Sequence, residues 1–299
     1  MKRFLLFVLI FLVPSVEVTT TATLWATASN PSPFFEQVRA EMEKTTPRHR
    51  GLVIWIDRVQ HQQEFFGDSN LLQEKFLPGS TMKLITAEAA LNSEKDFTYQ
   101  CSGHDKIEGK RMHCWTYLGH GLLNLPQALG ISCNLFFARL GLALGKEKLL
   151  AQLDPYPFSE KNSLNKDKLR GAALANFAIG NSPDFQVTPQ EMAKFWNQYL
   201  DKISTPAFAP IQQGLVRSAQ SGTASRAGAS GIQILGKTGT GASMKKSYKT
   251  NAWFLGAYPT ENPRYALVVF LQEAYGFREA AELAGKIFSL AQENGVLQK

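Results

Sequence analysis

The sequence predicts an α+β fold: one antiparallel sheet built from both ends of the chain and flanked by helices, with an all-helical lobe inserted between its strands. Three observations predict it. The run Gly51-Leu-Val-Ile-Trp-Ile-Asp57 is apolar and β-branched, and reads as a buried strand. Three more strand-like runs, Ile232–Leu235, Ala252–Tyr258 and Tyr265–Leu271, gather in the C-terminal third. Between them, Leu125 to Leu200 carries helical text, broken at Pro155–Pro157 and around Asn181-Ser182-Pro183. A cleft between sheet and lobe is the default place for a site.

Taken in order, the chain opens with Lys2 and Arg3 and a wholly apolar run from Phe4 to Val13. Such a run falls well short of the roughly 20 residues a helix needs to cross a bilayer. Ala26-Thr27-Ala28 follows as a small-x-small pattern, so residues 1–28 read as a secretory signal peptide and the protein as exported, periplasmic or extracellular. The stretch from Pro14 to Thr27 is long for a cleavage region, which leaves an uncleaved anchor open. Residues 29–46 read as a Ser/Asn/Pro-rich linker and a short amphipathic helix (Phe34, Phe35, Val38, Met42) that stops before Pro47. One domain is expected over 47–299, with a helical insertion at about 92–220. A second short strand is expected around Glu64-Phe65-Phe66, and Pro78-Gly79-Ser80 is a turn into a helix over Thr81–Leu91. Gln100 to Leu122 reads as loop, and Glu279 to Gln292 as an amphipathic helix.

The 299 residues, 44% of them apolar and 19% charged, suffice for a real core. The formal net charge is +7, and removing the signal segment leaves about +6, which suits an anionic partner such as a cell-wall polymer or a membrane surface. Nucleic acid is not expected, because the Lys and Arg residues are scattered and form no recognised module. The cysteines are Cys101, Cys114 and Cys133. In an oxidising compartment Cys101 and Cys114 are candidates for a disulfide, leaving Cys133 free. A zinc set of Cys101, His104, His113 and Cys114 is the competing reading, but its spacing is not that of a standard finger. Two unpaired thiols in a surface loop are the third. The sequence therefore sets no metal or cofactor among its expectations.

Three clusters carry chemistry. In Ser80-Thr81-Met82-Lys83 a helical turn sets Lys83 beside Ser80, where a lysine of lowered pKa can take the hydroxyl proton. Ser132-Cys133-Asn134 precedes the apolar helix Leu135-Phe136-Phe137 and offers a second hydroxyl for proton relay and an amide for a peptide substrate. Lys237-Thr238-Gly239-Thr240 follows an apolar run, offering a charge, two carboxylate-binding hydroxyls and a Gly that lets substrate approach the backbone. Each alone has a plain structural reading: an N-cap, a helix start, a basic turn.

In this order they form the signature of penicillin-binding proteins and β-lactamases. The chain resembles the penicillin-binding protein transpeptidase domain from about Gly51 to Leu271. Pro78-Gly79-Ser80-Thr81-Met82-Lys83 is similar to that family's serine motif. Ala178-Ile179-Gly180-Asn181, Val187-Thr188-Pro189, Ser221-Gly222-Thr223-Ala224 and Ala252-Trp253-Phe254 also fall in the expected places. The resemblance implies a β-lactamase/transpeptidase-like fold and an acyl-enzyme on Ser80, formed with D-Ala-D-Ala stem peptides of peptidoglycan. It implies Lys83 as base and Ser132 with Lys237 as the proton path to the leaving amine. Asn134, Thr238, Gly239 and Thr240 would bind substrate, and the backbone N–H groups of Ser80 and Thr240 would form the oxyanion hole. β-Lactams are implied as inhibitors, and a cell-wall or membrane protein as a partner for so bare a catalytic domain.

Two other functions compete. Gly180-Asn181 leans towards class D β-lactamases, but the polar Asn134 stands where those enzymes keep an apolar residue, and no deacylation base is evident. A non-catalytic sensor of β-lactams or muropeptides is the third reading. Cys133 reads as a small buried filler, His120 as a loop-packing residue and Glu160 as part of a polar loop.

Overall fold

The computed structural model describes residues 32–45, 47–229 and 231–297. The expected signal segment and its cleavage pattern lie outside them. The apolar runs from the two ends of the chain pair into one five-stranded antiparallel sheet. Its strands are β1 (Gly51–Asp57), β2 (Gln62–Gly67), β7 (Leu235–Ala242), β8 (Thr250–Tyr258) and β9 (Tyr265–Gln272), in the spatial order β2-β1-β9-β8-β7. Register is direct, with Val53 opposite Val269 and Leu255 opposite Val268.

Both faces of this sheet are covered, which is why β1, β8 and β9 show continuous apolar text rather than alternation. Val53, Trp55, Phe254, Leu267 and Val269 face α1 (Pro33–Thr45) and α10 (Ala281–Glu293). Leu52, Ile54, Ile56, Leu255, Val268 and Phe270 face the helical lobe. The helix expected from Phe34, Val38 and Met42 is α1, and those three residues are its buried face.

The lobe is built around α2 (Lys83–Leu91), buried on every side but its last residue. Around it lie α3 (Leu125–Gly130), α4 (Asn134–Leu144), α5 (Lys146–Leu153), α6 (Gly171–Ala178), α7 (Pro189–Ile203) and α8 (Ala209–Ser221), followed by the short α9 (Ser225–Gly228). The start of α7 is fixed by a capping box, with Thr188 Oγ1 accepting from the Glu191 N–H and Glu191 returning the bond to Thr188 N–H, and with Pro189 in the first turn. Trp196 on α7 donates to the Gly256 carbonyl and Tyr199 to that of Leu84, tying sheet to lobe.

The structure corrects one segment. Gln100 to Leu122, expected as loop, holds two short antiparallel pairs: β3 (Tyr99–Cys101) with β6 (Gly121–Leu123), and the hairpin of β4 (His104–Ile107) and β5 (Lys110–His113). The hairpin carries His, Asp, Lys and Arg because it is largely exposed, so no apolar alternation betrays it. It is held down instead by a bidentate Arg139–Asp105 pair from α4, at 2.6 and 2.7 Å, and by the Tyr99 hydroxyl on the same carboxylate.

Candidate active site

Ser80 stands in a tight 3-10 turn, Gly79–Met82, that runs straight into α2. Three residues per turn eclipse positions i and i+3, the spacing of Ser80 and Lys83. The turn is clamped between two other segments of the signature. Gly79 N–H donates to the Gly180 carbonyl at 3.0 Å. A Cβ on Gly79, whose φ is +54°, would lie 2.5 Å from the Thr240 carbonyl, and one on Gly180 would lie 1.9 Å from that of Gly79. Only glycine permits this convergence.

Gly239 has the same role. A Cβ there would meet Thr81 Cγ2 at 2.8 Å and the Pro78 carbonyl at 3.0 Å. The close approach it permits is that of the serine's own turn, not the substrate approach expected from the sequence. The motif also sits deeper in its strand than the apolar run suggested, since β7 begins at Leu235 and carries Lys237 to Ala242 within it.

Ser132 lies between α3 and α4 with φ +54°, a left-handed backbone that a serine adopts only where the surroundings impose it. Its N–H bonds to the Leu129 carbonyl and that of Cys133 to Ala128. Cys133 then caps α4, its sulfur accepting from the Phe136 N–H at 3.5 Å. This turn points Ser132 and Asn134 at two buried amines. Lys83 Nζ donates to the Ser132 carbonyl at 2.7 Å, to Ser132 Oγ at 3.2 Å and to Asn134 Oδ1 at 2.7 Å. Lys237 Nζ donates to the same Ser132 Oγ at 3.0 Å and to the Thr238 carbonyl at 2.7 Å.

Among the described residues neither amine has a carboxylate partner. Burial brings Lys83 from 10.5 down to about 8. Burial, and then the charge of Lys83, hold Lys237 well below the usual lysine range. The three N–H groups of a Lys83 ammonium are all spent on Ser132 and Asn134. A neutral amine would free the pair of electrons that a base for Ser80 requires.

Ser80, Ser132, Asn134, Thr238 and Thr240 all line one cleft of about 550 Å³. Thr238 Oγ1 donates to Thr223 Oγ1 at 2.7 Å, and Thr240 Oγ1 accepts from the Gly276 N–H at 3.0 Å. Sequence reasoning missed the aromatic wall of this cleft, Trp115, Tyr275 and Phe277. Their only signal was large apolar side chains inside polar, loop-like text.

Cys101 and Cys114 are not joined. All three cysteines are free and buried. Cys114 Sγ lies 3.7 Å from Cys133 Sγ, and His120 Nδ1 lies 3.5 Å from both Cys101 Sγ and Cys114 Sγ. His104 and His113, offered with Cys101 and Cys114 as a zinc set, face each other across the exposed hairpin instead. Glu160 is a structural residue, paired with Lys75 and accepting from the Gln186 N–H.

Comparison with known proteins agrees with this geometry. Residues 57–289 match the family model described as the penicillin-binding protein transpeptidase domain. The chain is 27% identical to stage V sporulation protein D of Bacillus subtilis, with 70% of this chain and 41% of that protein covered. It is 25% identical to the peptidoglycan D,D-transpeptidase PbpA of Mycolicibacterium smegmatis, covering 68% and 51%. It thus spans about half or less of the length of these curated relatives. Its fold is that of the D,D-transpeptidase domain of a peptidoglycan glycosyltransferase from Eggerthella lenta, with a TM-score of 0.73 at 18% identity, covering 87% of this chain and 82% of that one.

Proposed function

The chain belongs to the penicillin-binding protein transpeptidase domain family, and from that premise we propose that it is an exported serine D,D-transpeptidase or D,D-carboxypeptidase acting on D-Ala-D-Ala stem peptides of peptidoglycan. One observation supports this reading above the others. A single hydroxyl, Ser132 Oγ, is held by two buried amines that meet no carboxylate among the described residues, in the cleft that also takes Ser80.

In this reading Ser80 Oγ attacks the carbonyl between the two D-alanines, and its proton passes to neutral Lys83. Collapse of the tetrahedral species breaks the C–N bond. The departing D-alanine amine takes a proton from Ser132, which is resupplied by the lysine pair. An ester on Ser80 remains, and the amine of a second stem or a water then attacks it by the reverse proton path. Lys237 and the hydroxyls of Thr223, Thr238 and Thr240 suit the terminal carboxylate. Asn134 Oδ1 is committed to Lys83, so its amide N–H groups are what it offers a substrate carbonyl. β7 is an edge of the sheet, and an edge strand has outward N–H groups to spare for an oxyanion. A cell-wall or membrane protein that holds the domain at its polymer belongs to the same proposal.

A β-lactam would leave its opened ring on Ser80. Rapid release needs a base beside that ester. In class D β-lactamases the base is a carbamylated lysine in an apolar pocket, whereas Lys83 here is surrounded by Ser132 and Asn134. The test is labelling of the purified protein with a fluorescent penicillin, followed over hours beside Ser80→Ala. A stable label absent from the variant is expected. Rapid release with drug consumption would make the protein a β-lactamase, and no label at all would overturn the reading.

A further inference from the structure

We propose that Cys101, Cys114, His120 and Cys133 bind one zinc ion, a structural centre that fastens the segment between β3 and β6 to the turn bearing Ser132 and Asn134. The four donor atoms all lie within 4.8 Å of one another, and the three cysteines are buried. Zinc takes thiolate sulfur at about 2.3 Å and imidazole nitrogen at about 2.0–2.1 Å, in a tetrahedron. A regular tetrahedron with those bonds has sulfur–nitrogen edges of about 3.5 Å and a sulfur–sulfur edge of about 3.8 Å. The structure has 3.5 Å from His120 Nδ1 to each of Cys101 and Cys114, and 3.7 Å from Cys114 to Cys133.

Backbone pairing brings the four ligands together. Pairing of β3 with β6 sets Cys101 opposite Gly121, and the His120 N–H bonds to the Cys101 carbonyl at 3.0 Å. The β4–β5 hairpin returns the chain so that the Cys114 N–H bonds to the Gly103 carbonyl at 2.8 Å. Cys133 arrives from the opposite side as the cap of α4. There the Phe136 N–H is directed at Cys133 Sγ at 3.5 Å.

The imidazole points the same way: its Nδ1 faces the sulfurs of Cys101 and Cys114, and ligation there leaves the ring proton on Nε2. Three soft thiolates and one imidazole, with no carboxylate or open position, select zinc and a closed structural site over a catalytic one. Binding displaces three thiol protons and leaves the centre with a net charge of −1, and nothing is oxidised or reduced.

Two of the ligands adjoin the cleft. Cys133 stands between Ser132 and Asn134. Cys114 precedes Trp115, which donates to the Ile131 carbonyl at 3.0 Å and walls the cleft. The ion therefore holds the proton-relay turn and the aromatic wall in one unit.

The experiment is elemental analysis of the reduced full chain, purified without added metal. About one zinc per chain is expected. Chelated wild-type protein should regain one equivalent of zinc with a rise in Tm. With cobalt it should give the thiolate charge-transfer and tetrahedral d–d bands of a sulfur-rich site. Cys101→Ser should weaken zinc binding at least tenfold, since even outer partners of a ligand matter by 10–100-fold. Reduced protein that neither holds nor regains zinc overturns the proposal, as does iron in its place or a Cys114–Cys133 disulfide. Metal content is read without turnover, so it stands or falls separately from the penicillin labelling.

Discussion

Acylation of Ser80 should accelerate about tenfold between pH 7 and pH 9. With Lys83 brought down by burial to about 8, about one molecule in eleven holds the neutral amine at pH 7 and about ten in eleven at pH 9. An ordinary lysine at 10.5 would be neutral in only about one molecule in 3,000 at pH 7. The drop corresponds to roughly 3 kcal/mol of lost preference for the ammonium form. The same shift acts on stability. Below about pH 8 the folded and unfolded chains both hold the proton, and the folded one bears the full burial cost. Between about 8 and 10.5 the unfolded lysine is still protonated while the folded one is not, so this group makes the fold more stable as pH rises. The assay is the second-order rate of labelling by a fluorescent penicillin from pH 6 to 10, beside Lys83→Arg. Arginine keeps the charge but does not give up its proton, so labelling should fall by about 10²–10⁴-fold and lose its pH dependence. Because both lysines touch Ser132 Oγ, the midpoint belongs to the pair. A flat wild-type profile, or an arginine variant that labels at the wild-type rate, would refute the assignment of Lys83 as base.

Two further substitutions probe the surroundings of that amine. Asn134→Asp sets a carboxylate where an amide oxygen now accepts from Lys83 at 2.7 Å. It should favour the ammonium, move the labelling midpoint alkaline by about one pH unit or more and slow labelling at pH 7 about tenfold or more; an unmoved midpoint would count against it. Gly180→Ala drives a Cβ to 1.9 Å from the Gly79 carbonyl at a φ of +81°. Left-handed backbone costs about 1–2 kcal/mol and overpacking about 1–3 kcal/mol, so urea melts should show a loss of about 2–5 kcal/mol, with labelling of Ser80 also impaired. Wild-type stability in that variant would mean that the clamp on the serine turn yields freely.

The parts of the fold legible in the sequence were those whose burial is simple. β1, β8 and β9 are covered on both faces, and their apolar runs announce them. The apolar run Ile232–Leu235 points to a strand earlier than β7, because only Leu235 of that run lies within it. The rest of β7, Lys237 to Ala242, is polar or small, being the strand that borders the cleft and packs on the serine turn. The β4–β5 hairpin was illegible because its stability comes from Arg139 on a helix 34 residues away. The three signature clusters were legible as residues but not as geometry. Nothing in Ser132 announces a left-handed backbone, and nothing in Gly239 says that its missing side chain makes room for Pro78 and Thr81. The cysteines misled for a related reason. Chain proximity offered His104 and His113 as companions of Cys101 and Cys114, whereas strand pairing and a helix cap chose His120 and Cys133.

Two charges on one helix, α2, are buried in contrasting ways. α2 carries both Lys83 and Glu88, and both are fully enclosed. Glu88 is answered in full, with Lys202 at 2.6 Å on one oxygen and the Tyr156 hydroxyl at 2.6 Å on the other. That is the usual condition for burying an ion, and removing one partner of such a pair costs about 3–5 kcal/mol. Lys83 has three acceptors and, among the described residues, no carboxylate: two oxygens of Ser132 and one of Asn134. Neutral acceptors orient an amine without holding its proton as a carboxylate would. Lys237 repeats the pattern from the opposite wall, and its own charge would further penalise that of Lys83. The same core that neutralises Glu88 so completely gives its two adjacent lysines no carboxylate among the described residues, and both meet at Ser132 Oγ, the condition under which a buried amine gives up its proton most readily.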